Sequence, residues 1–110
     1  MMKLAMSPAA AGLLRALLHR AGIDRNRILL TEFRSTDWQS LTFSGERHRI
    51  DLRVPGPGAA AVARALADGL GDAEFSVPGH VVADIAVDGA LVEEPDGAIT
   101  LAIEALTVED

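Results

Sequence analysis

Apolar residues recur at two different spacings along this 110-residue chain, and segments of the two kinds alternate. In residues 7–21 and 59–70 they lie three and four positions apart, which is typical of amphipathic α-helices. The segments after each helix are rich in β-branched residues, and their apolar and polar side chains alternate as in half-buried strands. This pattern predicts an α+β fold in which two helices pack on one face of a mainly antiparallel sheet.

Capping and turn residues set the boundaries of these elements. Ser7 and Pro8 are typical of a helix start, and Gly22 is placed to end that helix. Strands are predicted over residues 28–34, 38–44, 47–54, 80–87 and 98–108, with an optional short strand at 74–77. A second helix is predicted over residues 59–70. The order is therefore α-β-β-β-α-(β)-β-β within one domain, residues 1–110. Each half is a helix followed by strands, but the halves share too few identical residues to show a repeat.

The tetrapeptide 44–47, Ser-Gly-Glu-Arg, resembles a type II′ hairpin turn with Gly45 at its first central position. A hairpin closed there pairs Trp38 with Arg53 and places Leu41 and Phe43 on the core side of the sheet. We expect ten side chains to be nearly inaccessible to solvent: Leu14, Leu17, Leu18, Leu41, Ile50, Leu52, Leu66, Ile85, Leu101 and Ile103.

The opposite face of this hairpin is the candidate binding surface. It collects the only tryptophan of the chain with three arginines and one carboxylate. Its members are Trp38, Arg47, Arg49, Asp51 and Arg53. An antiparallel sheet with helices on one face leaves the other face available, and Trp and Arg are enriched at the centres of interfaces. A solvated face, stabilised by a cation–π pair between Trp38 and Arg53, explains the same pattern without a partner.

Signals for catalysis are weak. The three histidines, His19, His48 and His80, have no metal-ligand spacing, and we expect His48 at the edge of the core opposite Phe43. No nucleophile elbow, phosphate-binding loop or dinucleotide motif occurs. We therefore expect no catalytic residues, no metal site and no cofactor.

Composition limits the class of protein. The chain contains no cysteine, which excludes disulfides and thiolate sites. Its apolar runs are interrupted by Arg15, Arg64 or Asp84 short of the roughly 20 residues that cross a membrane, and no clean signal peptide is present. These features favour a soluble, acidic, cytoplasmic protein.

Charge is divided unequally along the chain. Residues 1–53 contain nine Lys or Arg against five Asp or Glu, whereas residues 54–110 contain one against eleven. Such halves attract one another, either within a chain or between copies. We therefore favour a binding or assembly module that forms a homodimer. Two alternatives stay open: a small enzyme or small-molecule-binding protein with a pocket between sheet and helices (candidate residues Glu32, Arg34, Asp37, His48 and His80), or nucleic-acid binding through the Arg/Trp face, which the acidic net charge disfavours.

Overall fold

Two helices pack against a four-stranded antiparallel sheet in the computed structural model, which describes residues 6–110. The α+β class is therefore confirmed. The elements are α1 (Pro8–Ala21), β1 (Leu29–Gln39), β2 (Ser44–Val54), α2 (Ala59–Ala67), β3 (His80–Glu93) and β4 (Ile99–Glu109), with short 3-10 turns at Arg25–Arg27 and Leu70–Asp72. None of the helices within residues 6–110 is long and apolar enough to cross a bilayer.

The sheet order, β1-β2-β4-β3, gives the fold an internal symmetry. Each half of the chain supplies one helix followed by a two-stranded hairpin, and the two inner strands, β2 and β4, pair with each other. Exchanging the halves leaves the order unchanged. The first half therefore forms one edge of the sheet and the acidic second half forms the other.

Both helices cover the same face of the sheet. Ser7 caps α1 by accepting a hydrogen bond from the Ala10 amide at 3.1 Å, and Gly22 ends it in the left-handed region at φ 65°. The buried side of α1, with Leu13 and Leu17, joins a single cluster with Leu66 of α2 and the inward-facing residues of β2 and β4. Burial of this apolar surface is the main stabilising contribution to the fold.

Most of the predicted core is buried, but two residues predicted on the core side are exposed. The buried members are Leu17, Ile50, Leu52, Leu66, Ile85, Leu101 and Ile103, whereas Leu14 and Leu18 are half-buried. Leu41 is fully exposed at 104%, and Phe43, predicted on the core side, is 54% exposed. Both predictions were wrong because these residues lie in a turn.

The first hairpin closes at Ser40–Phe43 and not at residues 44–47. The Ser40 amide donates to the Phe43 carbonyl at 2.8 Å, and the Phe43 amide donates to Ser40 Oγ at 3.1 Å. A single strand, β1, replaces the two strands predicted between residues 28 and 44, with Gln39 paired to Ser44. Local hydrogen bonding by a serine at the first turn position outweighed the glycine signal in the next tetrapeptide.

Gly45 has a different role, inside β2 opposite Val108 of β4. A Cβ atom at this position would lie 2.0 Å from the Thr107 carbonyl oxygen. The glycine is therefore required for close approach of two backbones, which is the usual meaning of glycine within a strand.

Candidate functional site

The sheet face that the helices leave uncovered, here called the open face, contains all five predicted binding residues. In β2 the inward side chains from His48 to Val54 are buried, and the alternate residues Arg47, Arg49, Asp51 and Arg53 point the other way. Trp38 shares this face because cross-strand partners point to the same side and Trp38 pairs with Gly45. The prediction that these residues share one face is correct although the predicted turn was wrong. The predicted and observed hairpin registers differ by an even number of residues, so each side chain stays on the same face.

Trp38 and Arg53 are nevertheless far apart. Trp38 lies opposite Gly45 at one end of the open face, whereas Arg53 lies opposite Leu29 at the other end. The predicted Trp38–Arg53 pair is therefore not formed. Cross-strand neighbours instead place Trp38 in an apolar row at the end of the sheet. This row consists of Trp38, Gly45, Val108 and Val81.

Arg49 is the centre of an ion-pair network within the chain. Its guanidinium lies 2.8 Å from Asp88, 3.3 Å from Asp51 and 3.3 Å from Glu104. The hydrogen bond that it donates to Asp88 and the charge of Asp51 raise the pKa of Arg49 above its ordinary value.

Arg53 is similarly paired with Asp96. The hydrogen bond from the Ala98 amide, together with the contact from Arg53, lowers the pKa of Asp96. Carboxylates of the second half of the chain thus neutralise two arginines of the first, Arg49 and Arg53.

Arg47 and Asp84 lie on the open face without such partners. Both belong to the row next to the apolar one, Thr36, Arg47, Leu106 and Asp84. Both are exposed, and within residues 6–110 neither has an oppositely charged group within 4.0 Å. These two charges are therefore available to a partner molecule.

His48 is buried on the other face, close to the start of α1. It is 2% exposed; its Nδ1 lies 2.7 Å from Ser35 Oγ and its Nε2 lies 2.8 Å from Thr107 Oγ1. The ring also packs edge-on against Phe33 at a centroid distance of 5.9 Å. The prediction that His48 lies opposite Phe43 was wrong because the hairpin register differs.

The hydrogen bonds of Thr107 fix the tautomer of His48. Thr107 is fully buried, and His48 is its only side-chain hydrogen-bond partner in the described chain. A buried hydroxyl that does not donate costs about 1–3 kcal/mol. We therefore assign Thr107 as the donor to Nε2, which leaves the proton of the neutral ring on Nδ1, donating to Ser35 Oγ. The hydroxyl proton of Ser35 is therefore free to be donated to another acceptor. In an activated serine nucleophile the direction is the reverse, because there the serine hydroxyl donates to the histidine ring.

Acidification should destabilise the fold through His48. Burial lowers the pKa of His48 below 6.5, opposed by the charge of Glu46 and reinforced by that of His80. The unfolded chain then binds the proton more readily, so the stability that neutral His48 contributes is complete above about pH 6.5 and is lost as the pH falls toward the lowered pKa. Urea unfolding between about pH 7.5 and 5 should show this loss in the parent and a shallower slope in His48→Gln. Equal slopes in the two proteins would contradict the assignment.

A cavity of about 550 Å³ opens beside this cluster, between the start of α1 and β1. Its lining residues are Met6, Ser7, Ala10, Leu30, Thr31, Glu32, Phe33, Ser35 and Glu46. Ser7 Oγ donates to Glu46 Oε1 at 2.7 Å, which ties the helix start to β2. No local sequence pattern signals this cavity, because its residues come from three separate segments.

Among the residues considered for an enzyme site, Glu32 lines this cavity, whereas Arg34, Asp37 and His80 do not, so the candidates do not converge on one centre. Glu32 and Arg34 pair with each other at 2.5 Å, and His80 Nδ1 contacts the Pro78 carbonyl oxygen at 3.0 Å. Across residues 6–110, no group of three or more His, Asp or Glu side chains is arranged to hold a metal ion. The open face and the cavity are therefore the two candidate sites. No known protein family, curated protein or solved structure matches this chain.

Proposed function

We propose that this chain is a non-enzymatic assembly module that forms a homodimer through the open face of its sheet. The apolar row at one end of that face is the observation that carries the proposal. It combines the only tryptophan of the chain with Val108 and with Val81, which is 48% exposed, around the small Gly45. Covering such a row removes apolar surface from water at about 25 cal/mol per Å².

The strand order makes the open face complementary to a second copy of itself. A twofold axis that runs parallel to the strands and between two stacked sheets reverses the strand order, so that β1 faces β3 and β2 faces β4. Rows stay aligned under this operation. Trp38 then meets Val81 of the second copy, and Gly45 leaves space for the facing Val108.

The same operation pairs the unpartnered charges. Arg47 on β2 and Asp84 on β3 belong to one row, so each comes near its opposite on the second copy. The symmetry produces two such contacts per dimer. Exposed ion pairs contribute only about 0–1 kcal/mol each, so these contacts select the orientation while the apolar row supplies most of the affinity.

Nucleic-acid binding receives less support from the same face. Arg34, Arg49 and Arg53 already pair with carboxylates, which leaves little positive charge for phosphates. Among the described residues of this face, Trp38 would also be the only one able to stack on a base.

Mixing two charge-reversal variants tests the proposed orientation. Arg47→Glu and Asp84→Lys should each weaken self-association, because like charges then come near each other twice per dimer. An equimolar mixture should recover association as a heterodimer. In that heterodimer the introduced glutamate lies near the introduced lysine, and the unchanged Asp84 lies near the unchanged Arg47. Sedimentation velocity of each variant and of the mixture measures this.

Two comparisons make the experiment decisive. Arg64→Glu, which changes an exposed arginine on α2 away from the open face, should leave association unchanged. Rescue by mixing cannot arise from contacts within a chain, because each chain still carries only its own substitution. If both variants associate like the parent, or if the mixture shows no recovery, the proposed orientation is wrong.

A further inference from the structure

The cavity beside α1 has the size and lining of a small-molecule site. Its volume of about 550 Å³ falls within the range of roughly 300–1,000 Å³ usual for ligand pockets. One wall is apolar: Leu30 and Met6 remain 38% and 41% exposed, and Phe33 and Ala10 complete it. The cavity opens at the β1 edge of the sheet beside the start of α1, and it is lined by none of the proposed dimer contacts Trp38, Val81, Arg47 and Asp84, so this inference is independent of the proposed dimer.

The charged groups that line the cavity are both carboxylates, Glu32 and Glu46. Glu32 is paired with Arg34, which does not line the cavity. Glu46 accepts a hydrogen bond from the neutral Ser7 hydroxyl, and no cationic side chain within residues 6–110 lies within 4.0 Å of it. A cationic ligand group would therefore be favoured at Glu46.

Ser35 adds a directed hydrogen-bond donor to the same cavity. The buried His48 ring donates to Ser35 Oγ, as assigned above, so the serine hydroxyl proton is available to a ligand acceptor. His48 is itself held by the fully buried Thr107, which fixes the donor in place. A donor oriented by buried partners costs little to order when a ligand binds.

We propose that this cavity binds a small organic amine with an apolar body. The ammonium group contacts the Glu46 carboxylate, a neighbouring oxygen of the ligand accepts from Ser35, and the apolar body lies against Leu30 and Phe33. The ammonium group, the acceptor oxygen and the apolar body of such a ligand thus match the carboxylate, the hydroxyl donor and the apolar wall of the cavity.

Phenylethanolamine is a suitable probe because it combines an ammonium group, a hydroxyl oxygen and a phenyl ring. Titration followed by amide chemical shifts in NMR should give saturable shifts at Leu30 and Phe33, with a millimolar dissociation constant. Styrene glycol has a hydroxyl in place of the ammonium group, and mandelate has a carboxylate in place of the aminomethyl group; both should bind at least about 5-fold more weakly. Absence of saturable shifts up to about 10 mM probe, or equal binding of either analogue, would overturn the proposal.

Variants assign the two polar contacts. Glu46→Gln keeps an acceptor for Ser7 and should weaken binding of the probe at least about 5-fold. Glu93 is an exposed carboxylate outside the cavity, and Glu93→Gln should leave binding of the probe unchanged. Ser35→Ala should remove the advantage of phenylethanolamine over phenethylamine, which lacks the hydroxyl, and Ser35→Thr should restore it. An unchanged affinity in Glu46→Gln would exclude the site even if the probe binds elsewhere.

Discussion

Replacing Leu17 by alanine should lower the free energy of unfolding by about 2–5 kcal/mol, the usual cost of a Leu→Ala change in a core. Leu17 is 1% exposed and belongs to the cluster that joins α1 to the sheet. The substitution removes buried methyl groups and leaves a cavity that α1 can only partly close. Alanine is a better helix former than leucine by only a few tenths of a kcal/mol, so helix propensity offsets little of this loss.

Urea unfolding of parent and variant at one protein concentration measures this difference. Leu14→Ala is the matched control, since Leu14 lies on the same helix but is only half-buried, and its cost should be clearly smaller. A loss below about 0.5 kcal/mol in Leu17→Ala would mean that the buried side of α1 is misplaced.

Trp38→Ala should have the largest effect on self-association. The half-buried indole would lose its contact with the second copy twice in a symmetric dimer. At about 25 cal/mol per Å², removal of both contacts should cost roughly 3 kcal/mol, or on the order of 100-fold in the dissociation constant. Sedimentation equilibrium of parent and variant over a dilution series measures the change.

Arg49→Ala provides the comparison within the open face. Arg49 is already held by carboxylates of its own chain, so its loss should weaken association less than the loss of Trp38, and added salt should have a modest effect. If Trp38→Ala shows the same mass distribution as the parent over the dilution series, the interface does not include Trp38.

Sequence periodicity predicted the helices, the antiparallel sheet and the two faces of β2. Alternation over Arg47 to Val54 assigns inward and outward residues whatever the turn, because a displacement by an even number of residues leaves every side chain on its face. Trp38 therefore lies on the predicted face although its partner is Gly45 and not Arg53.

Residue pairing was harder to predict because it depends on which turn closes. Two turn signals, around Ser40 and around Gly45, lie close together along the chain, and local rules favour the glycine. The backbone contact that requires Gly45 comes from β4, far along the chain, and no local pattern contains it.

The polar cluster around His48 shows the same limit. Ser35, His48 and Thr107 come from three strands, and each residue alone resembles an ordinary strand position. Only the order β1-β2-β4 brings the two hydroxyls to the two ring nitrogens. The tautomer, and with it the donor role of Ser35, follows from that arrangement.

Fluorescence of Trp38 on dilution tests the central claim most directly, because it is the only tryptophan and lies on the proposed interface. If two open faces pack together, the emission maximum should shift to longer wavelength as the dimer dissociates, at the concentrations where sedimentation shows the mass falling to 11.6 kDa. An emission maximum that stays constant while the mass changes, or a mass of 11.6 kDa at every concentration, would contradict a dimer formed through this face.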